Sequence, residues 1–215
     1  MATHPQNLAL ELGELCPLTG AHILHFYLDD IERRHAVLDF ISAGVRRGDR
    51  TCWVQNRPLH SAEAAIPGLD EPEALAAGPG PRPATGPLPA GQLMQEDSHH
   101  FYLTGGVFDP DQVYRKWREF SRTTKESGFT GYQALGEVPS ELEHVADGQA
   151  VVLYEANLDK ELQACPPTCV ICQYDARAFR GRTLVAILRV HPLVLVENRI
   201  FPNPFFQPAA WPRSH

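Results

Sequence analysis

Two hydrophobic periods alternate along this chain. His22-Ile-Leu-His-Phe-Tyr27 is a short, largely apolar run of strand length. Asp29 or Asp30 then supplies an N-cap, and Ile31, Val37, Leu38, Ile41 and Val45 recur at helical spacing up to a stop near Gly44 to Gly48. Thr51-Cys-Trp-Val-Gln55 reads as a second strand. The rhythm resumes at His99-His-Phe-Tyr-Leu103, a predicted short strand. Asp109-Pro110 opens a helix to about Ser127, with Val113, Trp117 and Phe120 on one face and Gly128 as its stop. A strand over Thr130 to Leu135 ends at Gly136-Glu137, and a long helix runs from about Gln149 to Leu162. Cys169 to Tyr174 is a strand ending at Asp175, and a helix from about Ala176 to Val190 leads into Leu193 to Glu197. Strands that alternate with helices in this way predict an α/β fold with a mainly parallel, doubly wound sheet.

Three segments fall outside the rhythm. Residues 1–19 read as a flexible leader, with a short helical turn over Leu8 to Leu12, and residues 208–215 as a tail. Residues 57–93 form an insertion whose part from Gly78 to Gly91 is rich in Pro and Gly. Such a stretch buries little apolar surface and lacks many backbone donors. It reads as a loop or linker within the domain, either a lid or an insertion without function.

Composition narrows the function classes. The chain has 215 residues, 43% of them hydrophobic, and a net charge of −7. The acidic balance argues against direct nucleic-acid binding, which requires a basic face. The densest basic cluster, Arg46-Arg47-Gly48-Asp49-Arg50, falls where a helix ends and complements its dipole. No apolar run is long enough for a membrane span, and the N-terminus lacks signal-peptide order. These features, with five unevenly spread cysteines, predict a cytoplasmic protein without a disulfide framework.

In an open α/β sheet, ligands bind beyond the carboxyl ends of the strands. The polar residues at those ends are His25, Tyr27, Gln55, Asn56, Glu137, Tyr174 and Asp175, with Phe26, Trp53 and Tyr132 as apolar walls. Each has a structural alternative: His25 as a hydrogen-bonded core residue, Glu137 as an arginine's partner or a cap of the 138–146 turn, and Asp175 as a helix cap. Cys169 and Cys172 have CxxC spacing, with Cys165 four residues earlier. Strand alternation puts residues three apart on opposite faces, and the same holds for His22 and His25. No metal is therefore assigned, and His22, His25, Cys169 and Cys172 are the metal candidates that remain. His191-Pro192 reads as structural, closing one helix and setting the next strand. Pro202 to Phe206 and Trp211 close the core or form a partner surface.

Several of these elements, taken in order, resemble the MEDS domain, the sensory domain of methanogen and methylotroph proteins and of the dichloromethane regulator DcmR. They are His22 to Tyr27 with Phe40, Gly44 and Gly48; Gly136-Glu137; Tyr154-Glu155 with Leu158; Cys172 to Asp175 with Phe179; and His191 to Leu195 before Asn203-Pro204-Phe205. The resemblance covers roughly residues 20–207. It implies a degenerate RecA/KaiC-like fold and a role in sensing small one-carbon or hydrocarbon-derived compounds. Nucleotide-binding relatives of that fold carry a Gly-rich loop ending in Lys-Ser/Thr. Here Tyr27 to Arg34 has no glycine and carries Asp29, Asp30 and Glu32, which repel a triphosphate.

About 20 residues precede the resemblance and almost none follow it. The expectation is therefore a stand-alone sensory domain and not an enzyme. It would bind a small organic ligand and relay occupancy to a separate kinase or transcription regulator, with a homodimer compatible with this scheme. The alternatives are a metal- or haem-linked sensor using His and Cys ligands, and an enzyme using Glu137, His25 and Asp175.

Overall fold

The structure, a computed structural model, describes residues 10–11, 20–56, 89–163 and 168–207. The strands are β1 (Leu10–Glu11), β2 (Ala21–Tyr27), β3 (Arg50–Gln55), β4 (Leu93–Asp97), β5 (Leu103–Thr104), β6 (Val107–Phe108), β7 (Tyr132–Glu137), β8 (Thr168–Asp175), β9 (Leu193–Val196) and β10 (Arg199–Pro202). The helices are α1 (Asp30–Arg47), α2 (Ser98–Tyr102), α3 (Pro110–Glu126), α4 (Gln149–Gln163) and α5 (Gly181–Val190), with a 3-10 stretch over Ser140–Gly148.

Eight strands form one sheet in the order β1-β10-β9-β2-β8-β7-β3-β4. From β9 to β4 every neighbouring pair is parallel. Only β10 and β1 run antiparallel to their neighbours, at one edge. Helix α1 follows β2 in a crossover to β3 and packs Val37, Phe40 and Ile41 with Ile23, Trp53, Leu135 and Ile171. Helices α3, α4 and α5 follow crossovers in the opposite direction along the sheet. They pack Trp117, Tyr154, Leu158 and Ile187 with Leu24, Val54, Val170 and Cys172. Right-handed crossovers in opposite directions put helices on opposite faces, which makes the sheet doubly wound.

Local chemistry explains the best-formed elements. Asp29 accepts hydrogen bonds from the Ile31 and Glu32 amides and starts α1, which stops at Gly48 with φ 80°. Asp109 caps α3 in the same way ahead of Pro110. Val113, Trp117 and Phe120 of α3 are buried at helical spacing.

The structure corrects several expectations. Residues 98–102 form helix α2 and not a strand, because the Asp97 side chain caps them through the His100 amide. The strand lies just before them as β4, whose Gln95, Glu96 and Asp97 hide it from a hydrophobicity reading because it is the sheet's outer strand. Helix α5 begins at Gly181 and not at Ala176. The Asp175 carboxylate takes the Arg177 amide in a turn instead. Leu10–Glu11 pairs as a strand with β10 where a helical turn was expected. The final strand has an unpredicted partner, β10, reached through Glu197 and Asn198, both at positive φ. Residues 57–88 of the expected insertion, most of the leader, and Trp211 lie outside the described residues.

Candidate functional site

Strands β2 and β8 are neighbours, yet the helices that follow them lie on opposite faces. Their carboxyl ends therefore flank a crevice, the usual ligand position of such sheets. Strand alternation sends His25, Tyr27, Gln55, Glu137, Gln173 and Asp175 to the α1 face at this end, since Ile23, Trp53, Leu135 and Ile171 of the same strands pack under α1.

An ion pair lies at the centre of this group. The Arg33 guanidinium of α1 donates to the Glu137 carboxylate at 2.6 Å, and both side chains are buried. Glu137 also accepts the Asn56 backbone amide at 3.2 Å. Burial pushes the Glu137 carboxyl above its ordinary range, while Arg33 and the Asn56 amide pull it back only in part. Arg33 stands 6.0 Å from the Tyr27 ring, and its Nε is 3.7 Å from Asp30. Beside the pair, the buried polar atoms without a hydrogen-bond partner among the described residues include Arg33 Nε, a donor, and Asn56 Oδ1, an acceptor; the Trp53 indole Nε1 is a third. His25 accepts from the Gln173 amide at Nδ1, 2.9 Å away, which leaves the proton on Nε2, 3.8 Å from Glu32. Asp175 takes two hydrogen bonds from the Arg177 guanidinium, which hold its carboxyl below the usual range.

The amides of Ile31 and Glu32 at the start of α1, which in a phosphate-binding relative would face the anion, are occupied by Asp29.

A second cluster lies on the other face, under α4. His22, Cys172, Glu155 and His191 come from β2, β8, α4 and the residue after α5, and their donor atoms all lie within 4.8 Å of one another. All four are buried to about 1% exposure or less. Glu155 Oε2 is 3.1 Å from His22 Nε2, 3.4 Å from Cys172 Sγ and 3.5 Å from His191 Nε2. Its other oxygen accepts from the Tyr174 hydroxyl at 2.5 Å. Burial pushes the Glu155 carboxyl up, and the neighbouring His191 and His22 pull it down. Burial and the Glu155 charge drive the Cys172 thiol well up.

Five of the six expected ligand-site residues, His25, Tyr27, Gln55, Glu137 and Asp175, thus share one face and one edge. Tyr174 does not join them: one residue short of Asp175, it points to the opposite face and contacts Glu155. Of the expected walls, Trp53 is on the α1 face, whereas Phe26 and Tyr132 pack on the other. Glu137, His25 and Asp175 each hold a different partner, Arg33, Gln173 and Arg177. Sequence reasoning missed Arg33, because one arginine in a helix rich in charge carries no signal of burial. It also missed the joining of His22 and Cys172 to Glu155 and His191. His22 and His25 do fall on opposite faces, as do Cys169 and Cys172.

A comparison with known families matches residues 21–192 to MEDS, the "MEthanogen/methylotroph, DcmR Sensory domain". The match runs from β2 to the residue before β9 and so includes both clusters. No protein of curated function matches the chain.

Proposed function

The chain belongs to the MEDS sensory-domain family, and from that premise we propose that it is a small-molecule sensor whose ligand binds at the carboxyl edge beside Arg33 and Glu137. The observation that carries this reading is the pair of unsatisfied buried atoms there. Arg33 Nε offers a donor and Asn56 Oδ1 an acceptor, next to Tyr27 and at the crevice between oppositely wound halves of the sheet. Buried polar atoms without partners are costly, and a ligand with one polar group satisfies them while its apolar part meets Tyr27 and Trp53. A small oxygenated one-carbon or hydrocarbon-derived compound fits that description. The fold has no helix long and apolar enough to cross a membrane among the described residues.

Arg33 sits on α1 and Glu137 on β7, so a ligand that bonds to Arg33 shifts the balance between the two elements. That population shift is the signal, read by a partner such as a kinase or a transcription regulator. The domain senses and does not turn over its ligand. Thermal unfolding against a panel of methanol, formate and short alcohols, with dichloromethane as the comparison that lacks the polar group, tests this. A saturable rise in Tm, with the compound recovered unchanged and the rise abolished in Asn56→Ala, is the expected result. Consumption of the compound, or no response across the panel, would count against the reading.

A further inference from the structure

Four donor atoms that no function has absorbed meet under α4: His22 Nε2, His191 Nε2, Cys172 Sγ and Glu155 Oε2. Four of their six separations are close to the edges of a coordination polyhedron, and the other two, from His191 to His22 and to Cys172, are within 4.8 Å. The His22–Glu155, Glu155–Cys172, His22–Cys172 and Glu155–His191 distances are 3.1, 3.4, 3.5 and 3.5 Å. A tetrahedron with metal–ligand bonds of about 2.0–2.3 Å has edges of roughly 3.3–3.8 Å. The set also has the chemistry of such a site, with two imidazoles, a thiol and a carboxylate.

The orientation of His191 points the same way. Its Nδ1 lies 2.8 Å from the Ile187 carbonyl, which can only accept, so Nδ1 carries the proton. In the neutral ring, Nε2 is then a bare lone pair. It faces Glu155 Oε2, a second lone-pair atom, and it has no hydrogen-bond partner although it is buried. Two acceptors facing each other in a dry interior repel, so this contact needs a cation, either a second proton on the His191 ring or a metal ion shared by the two atoms. A ligating histidine that donates its other N–H to a backbone carbonyl, and a ligating carboxylate held by a hydroxyl, are the usual supports around a bound metal. Here Ile187 and Tyr174 supply both. Charge closes as well: a dication with one thiolate, one carboxylate and two neutral imidazoles is neutral, as a fully buried site requires.

We propose that His22, Cys172, Glu155 and His191 bind one zinc-type divalent transition-metal ion in a closed tetrahedral site. On binding, the Cys172 thiol gives up its proton to solvent and its sulfur electron pair to the metal, and no oxidation occurs. Four protein ligands and complete burial mark a structural site and not a hydrolytic one, which keeps an open position for water. Haem does not fit, because the His22 and His191 rings lie 4.0 Å apart, too close for a porphyrin to pass between them. The ion would tie β2 and β8, the strands that flank the carboxyl-edge crevice, to α4 and to the end of α5. This inference does not depend on the identity of the sensed ligand.

The test uses the full chain, purified without a polyhistidine tag, stripped with chelator and titrated with Co2+ as a spectroscopic stand-in for Zn2+. The expected result is strong visible ligand-field absorption of tetrahedral cobalt, with a near-ultraviolet thiolate-to-cobalt band, saturating at one equivalent. Zn2+ should displace the cobalt and raise Tm. Cys172→Ser should abolish the thiolate band, while Cys169→Ser, three residues away on the same strand, should keep it. Tyr174→Phe, which removes only the support of Glu155, should weaken binding about tenfold or more while the band persists. If the Cys172 variant does not fold, the zinc absorption edge of the wild-type protein decides: one sulfur and three nitrogen or oxygen neighbours are expected. Absence of saturable cobalt or zinc binding, a band lost in Cys169→Ser and kept in Cys172→Ser, or a shell with no sulfur or with several sulfurs would overturn the proposal.

Discussion

Arg33 and Glu137 lie 104 positions apart in sequence and 2.6 Å apart in space, with side-chain exposures of 4% and 2%. The pair binds α1 to the end of β7 across the crevice. Removing one partner leaves a buried charge without compensation, at a cost of about 3–5 kcal/mol, whereas replacing both with apolar residues is often close to neutral. Arg33→Met should therefore lower the free energy of urea unfolding by that amount. Arg33→Met with Glu137→Leu should recover most of it while losing the ligand response. A double variant as unstable as the single one would show that the pair is not an independent unit.

His25 predicts a pH dependence. Burial holds its folded-state pKa down at about 4, against the raising effect of Glu32, compared with an ordinary value of 6.5. Between those values the unfolded chain binds a proton that the native state refuses, so the group's contribution to stability falls as pH drops from 6.5 toward 4. One such proton gives a slope of about 1.4 kcal/mol per pH unit. Urea unfolding from pH 7 to pH 4.5 should show His25→Gln losing less stability than the wild type. Parallel curves would remove His25 as the cause. Gln173 and Glu32 face the ring.

Gly44 lies inside α1, where alanine ordinarily stabilises a helix by about 1 kcal/mol. Here a Cβ would fall 2.0 Å from the Gln133 amide. That amide is fixed by the Phe40 carbonyl at 2.6 Å and the Thr51 hydroxyl at 3.2 Å, and its oxygen accepts from Arg47 at 2.8 Å. Gly44→Ala should thus destabilise, by about 1–3 kcal/mol for an overpacked interior. Adding Gln133→Ala should relieve the clash, measurable as a smaller combined loss than the sum of the two single losses.

Tyr154 is the polar centre of the other core. Its hydroxyl accepts from the Trp117 indole at 2.9 Å, and its carbonyl accepts from the Tyr114 hydroxyl at 2.9 Å. Tyr154→Phe strands the buried indole N–H and should cost about 1–3 kcal/mol. Tyr114→Phe removes the donor and leaves only a carbonyl, so its cost should be smaller. Thermal unfolding of the two variants compares them directly.

Much of the fold was legible from residues 20–207 because its signals are local. Asp29 and Gly48 delimit α1, Asp109-Pro110 opens α3, and apolar runs mark β2, β3, β7 and β8 as strands covered on both faces. The outer strand β4 escaped because its polar residues are those an edge tolerates, and α2 escaped because a single Asp97 cap outweighed an aromatic-rich stretch. The candidate ligand site was legible as far as strand ends permit. Parity along β8 separates Tyr174 from Asp175, but only packing tells which parity faces α1.

The sequence by itself determined the order of the main strands β2, β3, β7, β8 and β9 and of helices α1, α3, α4 and α5, the missing phosphate loop and the family, since each rests on neighbours along the chain or on motifs in series. Only the tertiary structure decided what stands beside what. The order β9-β2-β8-β7 is a choice among crossovers, and it alone brings His22 within reach of Cys172, His191 and Glu155. It likewise turns Arg33 from a surface charge into the buried partner of Glu137. Local propensity cannot encode such contacts, because they are set by the balance of burial over the whole sheet and not by any single element.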